Sequence, residues 1–254
     1  RNRGICVVIP TYNNDTTIKT VVEKSLLYCD DVIVVTDGCT DRTTDILDAI
    51  DGITIVSYPQ NRGKGYALKM GFRKALEMGF SYAITLDGDG QHYPEDIPLF
   101  LKANQEHPKS LIIGSRQLEG VDRSQGSSFA NKFSNFWFYV QTGRALPDTQ
   151  TGYRLYPLHR LCGLSLLTSR YEAELELLVF ASWHGVKLVP IPIQVYYPPR
   201  NERVSHFRPG KDFARISVLN TVLCFFAVVY GLPLRLWRTL MTFLRTAYSL
   251  LFFL

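Results

Sequence analysis

Short apolar runs alternate with helix-patterned segments through the first half of the chain. The runs at 5–9, 32–35, 53–57, 83–86 and 111–114 are rich in Val and Ile, the pattern of short buried strands. Between them, 17–27, 40–49, 65–78 and 94–104 have apolar residues at helical spacing. In 65–78 these are Ala67, Leu68, Gly71, Ala75 and Met78, and Thr40 and Asp41 are cap candidates for 40–49. Strands alternating with helices predict an α/β fold on a doubly wound parallel sheet. In such a sheet the ligand sits beyond the carboxyl ends of the strands. The polar clusters 11–14, 36–40, 60–64 and 87–92 all fall at that rim.

The second half is less regular. Residues 129–142 pattern as an aromatic helix, with Phe129, Phe133, Phe136, Trp137 and Val140 read as a core-facing stripe. A helix over 172–184 follows, then a strand over 187–195 whose Pro190 and Pro192 suit a sheet edge. Two apolar blocks close the chain, 216–234 and 240–254. The first is free of charge and long enough to span a bilayer; the second contains Arg245. With Arg235 and Arg238 between them, a span and a pair of interfacial helices both remain open, as does a soluble core or dimer helix. The expected organisation is one α/β domain over 1–210 and a basic, apolar helical tail over 211–254.

Composition narrows the classes. Apolar residues make up 46% and charged residues 20%, which is a folded chain. The five cysteines (Cys6, Cys29, Cys39, Cys162, Cys224) show no CxxC or Cys/His spacing, so a reducing location is expected and zinc is not. The opening residues carry no signal-peptide pattern. The net charge of +5 is uneven: from Arg200 onward there are eight Lys/Arg against two Asp/Glu. A basic, aromatic, apolar tail points to an anionic membrane surface on the cytoplasmic side rather than to nucleic acid. Oligomeric state is not legible.

The most chemically suggestive segment is Asp87-Gly88-Asp89-Gly90-Gln91-His92, at the end of the apolar run 82–86. In a strand, i and i+2 share a face, so Asp87 and Asp89 project together, while Gly88 and Gly90 remove bulk around them. Two carboxylates and an amide oxygen suit Mg²⁺ or Mn²⁺ carrying a diphosphate. An acidic turn capping the next helix is the plainer alternative.

Four motifs occur in order: Val8-Ile9-Pro10-Thr11-Tyr12-Asn13, Val34-Val35-Thr36-Asp37-Gly38-Cys39-Thr40-Asp41, Asn61-Arg62-Gly63-Lys64-Gly65 and Asp87 to His92. Together they resemble family 2 glycosyltransferases of the GT-A fold, a Rossmann-like, mostly parallel sheet flanked by helices, here with C-terminal membrane-associating helices. The segment 87–96, followed by Asp148-Thr149-Gln150-Thr151-Gly152-Tyr153-Arg154, is similar to the dolichyl- and polyprenyl-phosphate mannose or glucose synthases. The resemblance covers about residues 5–215. It implies inverting transfer of one hexose from a nucleotide-diphosphate sugar (UDP- or GDP-linked) to a lipid-linked acceptor, with a divalent metal.

Carried over residue by residue, Pro10, Tyr12, Asn13 and Asp37 line the nucleotide pocket, with Lys64 near the base or phosphates. Asp87 and Gly88 meet the nucleoside side or a metal-bound water, while Asp89 and Gln91 hold the metal. Arg200-Asn201-Glu202-Arg203-Val204-Ser205 resembles the family's phosphate-clamping loop, in which Arg203 and Ser205 are the leading candidates and Arg200 the next. An acceptor hydroxyl needs a base, and Asp148 is the candidate; a lipid phosphate needs none. The departures are Thr36 before Asp37 where two acids are usual, Cys39 where Ser is usual, and Glu202 at a glycine position. No QxxRW motif of processive synthases occurs in the expected region, so a single transfer is expected. The rivals are the same fold and donor with a hydroxyl acceptor, a nucleotidyltransferase, and a non-catalytic membrane scaffold.

Overall fold

The computed structural model describes residues 4–116, 125–163, 166–196 and 209–251. Its strands are β1 (Ile5–Thr11), β2 (Val32–Asp37), β3 (Ile53–Tyr58), β4 (Tyr82–Thr85), β5 (Leu111–Arg116), β6 (Arg154–Pro157) and β7 (Leu188–Ile193). They form one sheet in the order β3-β2-β1-β4-β6-β5-β7. The helices are α1 (Ile18–Leu26), α2 (Thr43–Asp48), α3 (Lys64–Glu77), α4 (Ile97–Glu106), α5 (Gln125–Thr142), α6 (Leu158–Leu161), α7 (Glu172–Trp183), α8 (Pro209–Phe226) and α9 (Leu232–Leu251).

The alternation of side chains in the central strands supplies two cores, one on each face. Val7, Ile9, Val32 and Val34 pack with α1, α2 and α4. Cys6, Val8, Ile33 and Val35 pack with α3 and α7 on the other side, where Phe138 of α5 and Leu219 and Leu223 of α8 join them. Register runs parallel from Val7↔Val32 in β1–β2 and from Ile5↔Tyr82 in β1–β4. The proline-bearing β7 lies at the sheet edge, as its composition requires.

The sheet departs from all-parallel at β6, which runs antiparallel to both β4 and β5. This strand carries no sequence pattern of its own because its first residue is charged. Arg154 is nonetheless completely buried: its guanidinium donates to the carbonyls of Glu174 and Thr149, at 2.8 and 2.9 Å, and to the Tyr156 hydroxyl. Those bonds give both terminal nitrogens partners and so hold inside a charge that the pattern of apolar residues would exclude, although Nε is buried without one.

The aromatic stripe of α5 does not face the core. Phe136 and Val140 are exposed at 57% and 48%, and Phe133 and Trp137 are half-buried; the Phe129 side chain lies outside the described residues. The inner face is Asn131, Ser134, Phe138 and Gln141. The reason is that α5 packs against a polar loop: Asn131 binds Asp148, and Ser134 binds Thr149.

The two terminal apolar blocks form one continuous helical run, not a pair of helices. A π turn at Ala227–Gly231 joins α8 to α9, just ahead of Pro233. Proline lacks an N–H and crowds the carbonyl four residues earlier, and a wider turn relieves both. Gly231 lets this turn lie on the Trp183 indole, where a Cβ would come within 2.6 Å of Nε1. Arg235 then donates to the Thr142 carbonyl at the end of α5, a favourable place for a cation at a helix C-terminus. The stretch Ala214–Leu244 is long and apolar enough to cross a membrane, by length and composition, and most of it is exposed.

Candidate active site

Cross-links between neighbouring loops build the carboxyl rim of the sheet. After β1, Asn13 takes a left-handed backbone (φ +52°), and its side chain accepts the Thr40 N–H at 2.8 Å and donates to the Thr40 hydroxyl. The Asn14 N–H donates to Thr43 Oγ1 and the Asp15 N–H to Asp41. Asp41 also accepts the Thr43 N–H at the start of α2, as its cap position predicts. Pro10 is buried within β1, and Tyr12 is half-buried at the rim.

Asp37, at the end of β2, grips the next loop. Its two oxygens accept the Arg62 and Gly63 N–H groups at 2.7 and 2.8 Å. Gly38 follows at φ +67°, and a Cβ there would fall 2.4 Å from the Asn61 nitrogen. The glycine is therefore a condition for the two loops to meet. Cys39 lies half-buried, and burial pushes its thiol up, away from nucleophilic use.

Lys64 opens α3 and reaches between two carboxylates, Asp87 Oδ1 at 2.7 Å and Glu174 Oε2 at 2.9 Å. Burial alone would discharge the amine, but these two acids hold it above the ordinary lysine range. Burial would also raise Asp87; Lys64 outweighs it, and Asp87 stays low. Gly152 leaves the space these groups occupy, since a Cβ there would lie 2.5 Å from Lys64 Nζ and 3.0 Å from Asp87 Oδ2. Thr85 secures the glycine by donating to its carbonyl at 2.7 Å.

Beside this pair, Asp89 is half-buried and accepts the Gln91 N–H at 3.0 Å. It makes no ion pair among the described residues. Burial and the neighbouring Asp87 raise its pKa to about 6. The carboxylate is thus short of positive charge, the condition a divalent cation would relieve. Gln91 lies half-buried in the same turn. Gly88 is buried, its carbonyl accepts the Thr17 hydroxyl at 2.7 Å, and a Cβ would press on Thr11. His92 is a packing residue: it is buried against Tyr153, and its Nδ1 accepts the Asp87 N–H. Burial lowers its pKa to about 4, so it is neutral. Among the described residues no three His, Cys, Asp or Glu side chains gather as a ready metal cage.

Asp148 stands apart from the acidic turn. Arg116 grips it from two of its three guanidinium nitrogens, Nε at 2.6 Å and Nη2 at 2.9 Å, and its backbone N–H adds a third bond. Asn131 and the Gln150 N–H supply two more. The carboxylate is fully buried, and although burial would raise its pKa, Arg116 holds it below the ordinary range. The partner is Arg116, whereas Arg154 binds the Thr149 carbonyl next door.

The structure therefore brings Asn13, Asp37, Lys64, Asp87, Gly88, Asp89 and Gln91 to one rim. Arg200, Arg203 and Ser205 lie outside the described residues. Glu174 and Arg116 escaped the sequence reading, because each sits far along the chain from the group it holds. A hint of the first was available: Glu172, Glu174 and Glu176 alternate in an otherwise apolar helix, and all three are buried.

The family model "Glycosyl transferase family 2" matches residues 6–156, which run from β1 to β6 and include the acidic turn. The chain is a family 2 glycosyltransferase. Among its relatives is a UDP-N-acetylglucosamine–dolichyl-phosphate N-acetylglucosaminyltransferase of Methanococcus voltae, 29% identical over 76% of this chain and 86% of the relative. A polyprenol monophosphomannose synthase of Mycolicibacterium smegmatis is 30% identical over 74% of this transferase and 75% of the relative. In fold, the transferase is similar to glucosyl-3-phosphoglycerate synthase from Mycobacterium tuberculosis, solved with Mn²⁺, UDP and phosphoglyceric acid. The TM-score is 0.66 at 19% identity, covering 89% of this chain and 78% of that one.

Proposed function

We propose that the transferase moves a single hexose, with inversion, from a nucleotide-diphosphate sugar to a polyprenyl phosphate at a membrane surface. The observation that carries this reading is the charge state of the acidic turn. Asp87 has its cation in Lys64, while Asp89 beside it has none and is raised to about 6. A site so arranged is complementary to a metal-bound diphosphate. The Mn²⁺ and UDP of the glucosyl-3-phosphoglycerate synthase structure and the lipid-phosphate acceptors named in the relatives support the same chemistry.

In this reading Asp89 and Gln91 hold Mg²⁺ or Mn²⁺, with Asp87 at its side. The cation, when bound, offsets the charge that develops on the leaving diphosphate. Pro10, Tyr12, Asn13 and Asp37 form the nucleotide pocket, and Asp37 does so by fixing the 61–63 loop. Arg200, Arg203 and Ser205 are assigned to the donor and acceptor phosphates by their motif.

Asp148 favours a phosphate acceptor over a hydroxyl one. Five N–H donors saturate its two oxygens, which leaves no free edge on which to take a proton. A phosphate monoester anion attacks without a base. Asp148 then serves as the anchor of the 147–152 loop rather than as catalyst. The tail over 211–254 brings the domain over 1–210 to the lipid, on the cytoplasmic face where nucleotide sugars are available.

The test is a thermal-shift panel of UDP, GDP, CDP and TDP, each with Mn²⁺ and with EDTA, followed by sugar transfer to polyprenyl phosphate. A metal-dependent shift with one nucleotide and product that is a phosphodiester of the lipid are expected. No shift with any nucleotide would sink the reading and favour a scaffold.

A further inference from the structure

Glu174 belongs to none of the four ordered motifs, yet it shares the Lys64 amine with Asp87. It is 6% exposed, and its second oxygen, Oε1, is buried without a hydrogen-bond partner. Its helix is firmly mounted. Arg154 donates to the Glu174 carbonyl at 2.8 Å, and two residues on, Glu176 accepts the Leu167 and Thr168 N–H groups and the Thr168 hydroxyl. Gly65 brings α3 against Ala173 so closely that a Cβ would fall 2.3 Å from the alanine methyl.

One carboxylate would suffice to neutralise Lys64, and this site supplies two. If Asp87 were the sole partner, freeing it would leave a buried ammonium uncompensated, which is strongly unfavourable. With Glu174 present, the amine has a second anion, and the orphaned Oε1 offers it a further acceptor. An ammonium has three N–H donors to place, so it can shift wholly onto Glu174.

We infer that Glu174 is a positioning residue that retains Lys64 when Asp87 turns to the donor, and thereby sets the affinity for a nucleoside diphosphate with its divalent cation. The inference rests on the donor reading above, and the controls separate the two.

The experiment is calorimetric titration of the full chain with whichever of UDP or GDP it binds, plus Mn²⁺, without acceptor and so without turnover. Glu174→Gln should weaken binding about 10-fold or more, the scale expected when a buried charge loses its partner, and raise the Mn²⁺ concentration needed. Glu174→Asp, which keeps the charge, should recover part of the loss. In a Lys64→Met background the Glu174→Gln change should cost less than about 2-fold, because there is no amine to retain. Equal losses in both backgrounds, or no loss in Glu174→Gln, would overturn the inference. If Lys64→Met alone removes binding, the Asp and Gln variants decide, and equal losses in those two overturn it. Absence of metal-dependent binding in the unaltered chain would instead overturn the donor reading, and this inference with it.

Discussion

The guanidinium of Arg116 and the carboxylate of Asp148 meet through two short parallel bonds, at 2.6 and 2.9 Å, with Asp148 wholly out of solvent. The pair ties the end of β5 to the loop that carries Gly152 into the site. Asp148→Asn keeps the volume but removes the buried negative charge that Arg116 grips. It should cost roughly 3 kcal/mol or more in unfolding free energy, read by denaturant titration. The folded pKa of Asp148 is depressed, so its contribution is present above the unfolded carboxylate value and is lost as pH falls through the folded one. A variant with unchanged stability would show that the pair does not anchor the loop, and would reopen a catalytic role for Asp148.

Asp89→Ala should abolish transfer and the metal-dependent nucleotide shift while leaving the melting temperature within a few degrees. Its carboxylate makes no ion pair among the described residues, and its bond to Gln91 closes a local turn. In fact the raised pKa means that the charged form is disfavoured in the fold, so its loss does not remove a stabilising charge. A collapse of the melting temperature would make the carboxylate structural.

His92 gives the pH prediction. It is buried neutral, with a folded pKa of about 4 against an ordinary value near 6.5. Between those limits the unfolded chain binds the proton and the fold does not, so stability rises with pH across that window. In EDTA, the His92 contribution to unfolding free energy, read as the difference between the unaltered chain and His92→Gln so that the opposite contribution of Asp89 cancels, should therefore fall as pH drops from about 6.5 toward 4 and level off below. Parallel pH profiles for the two proteins would assign the acid response to other groups, Asp89 and Asp148 among them.

Gly152→Ala adds a methyl where Lys64 Nζ and Asp87 Oδ2 stand. A lysine end can usually move aside, but here two carboxylates pin it. The methyl should displace the amine and weaken nucleotide binding by about 10-fold or more, in line with roughly 1.4 kcal/mol or more of strain transferred to the bound state. Calorimetry without acceptor checks this, and unaltered binding would show that the amine has room that the geometry does not suggest.

Much of the rim was legible because its chemistry is local. The turn 87–92, the Asp41 cap and the strand alternation each depend on residues within a few positions of one another. The positions of the strands at 5–9, 32–35, 53–57 and 83–86 follow from the same short-range patterning, whereas their order in the sheet does not. What escaped the sequence depends on distant partners. Arg154 begins a strand because carbonyls of Thr149 and Glu174 meet it inside, and no periodicity announces that. By the rule that aromatic residues seek the core, the α5 stripe reads as inward-facing. The rule failed because Asn131 and Ser134 are needed inside to satisfy Asp148 and Thr149, which rotates Phe136 and Val140 outward.

That rotation leads to the last prediction. The outward face of α5 presents Phe136, Tyr139 and Val140, and α9, fastened to the end of α5 through Arg235, presents Leu236, Trp237, Leu240 and Phe243. All of these are at least 48% exposed. So much apolar surface is costly in water and suits a bilayer interface, where aromatic rings and arginines sit at headgroup depth. Each large side chain inserted contributes about 1.5–3 kcal/mol. Replacing both Trp237 and Phe243 by Ser should therefore lower partitioning onto anionic vesicles by roughly 100-fold or more, measured by co-sedimentation. Nucleotide binding in the same variant should stay intact, because both residues lie on the tail and away from the acidic turn. Transfer to vesicle-embedded polyprenyl phosphate should fall with partitioning, whereas transfer to a short, water-soluble polyprenyl phosphate should persist. If the double variant partitions as before, the exposed face of α9 is not what meets the membrane, and α8 and the π turn, where Val218, Phe225 and Val228 are exposed, become the contact surface.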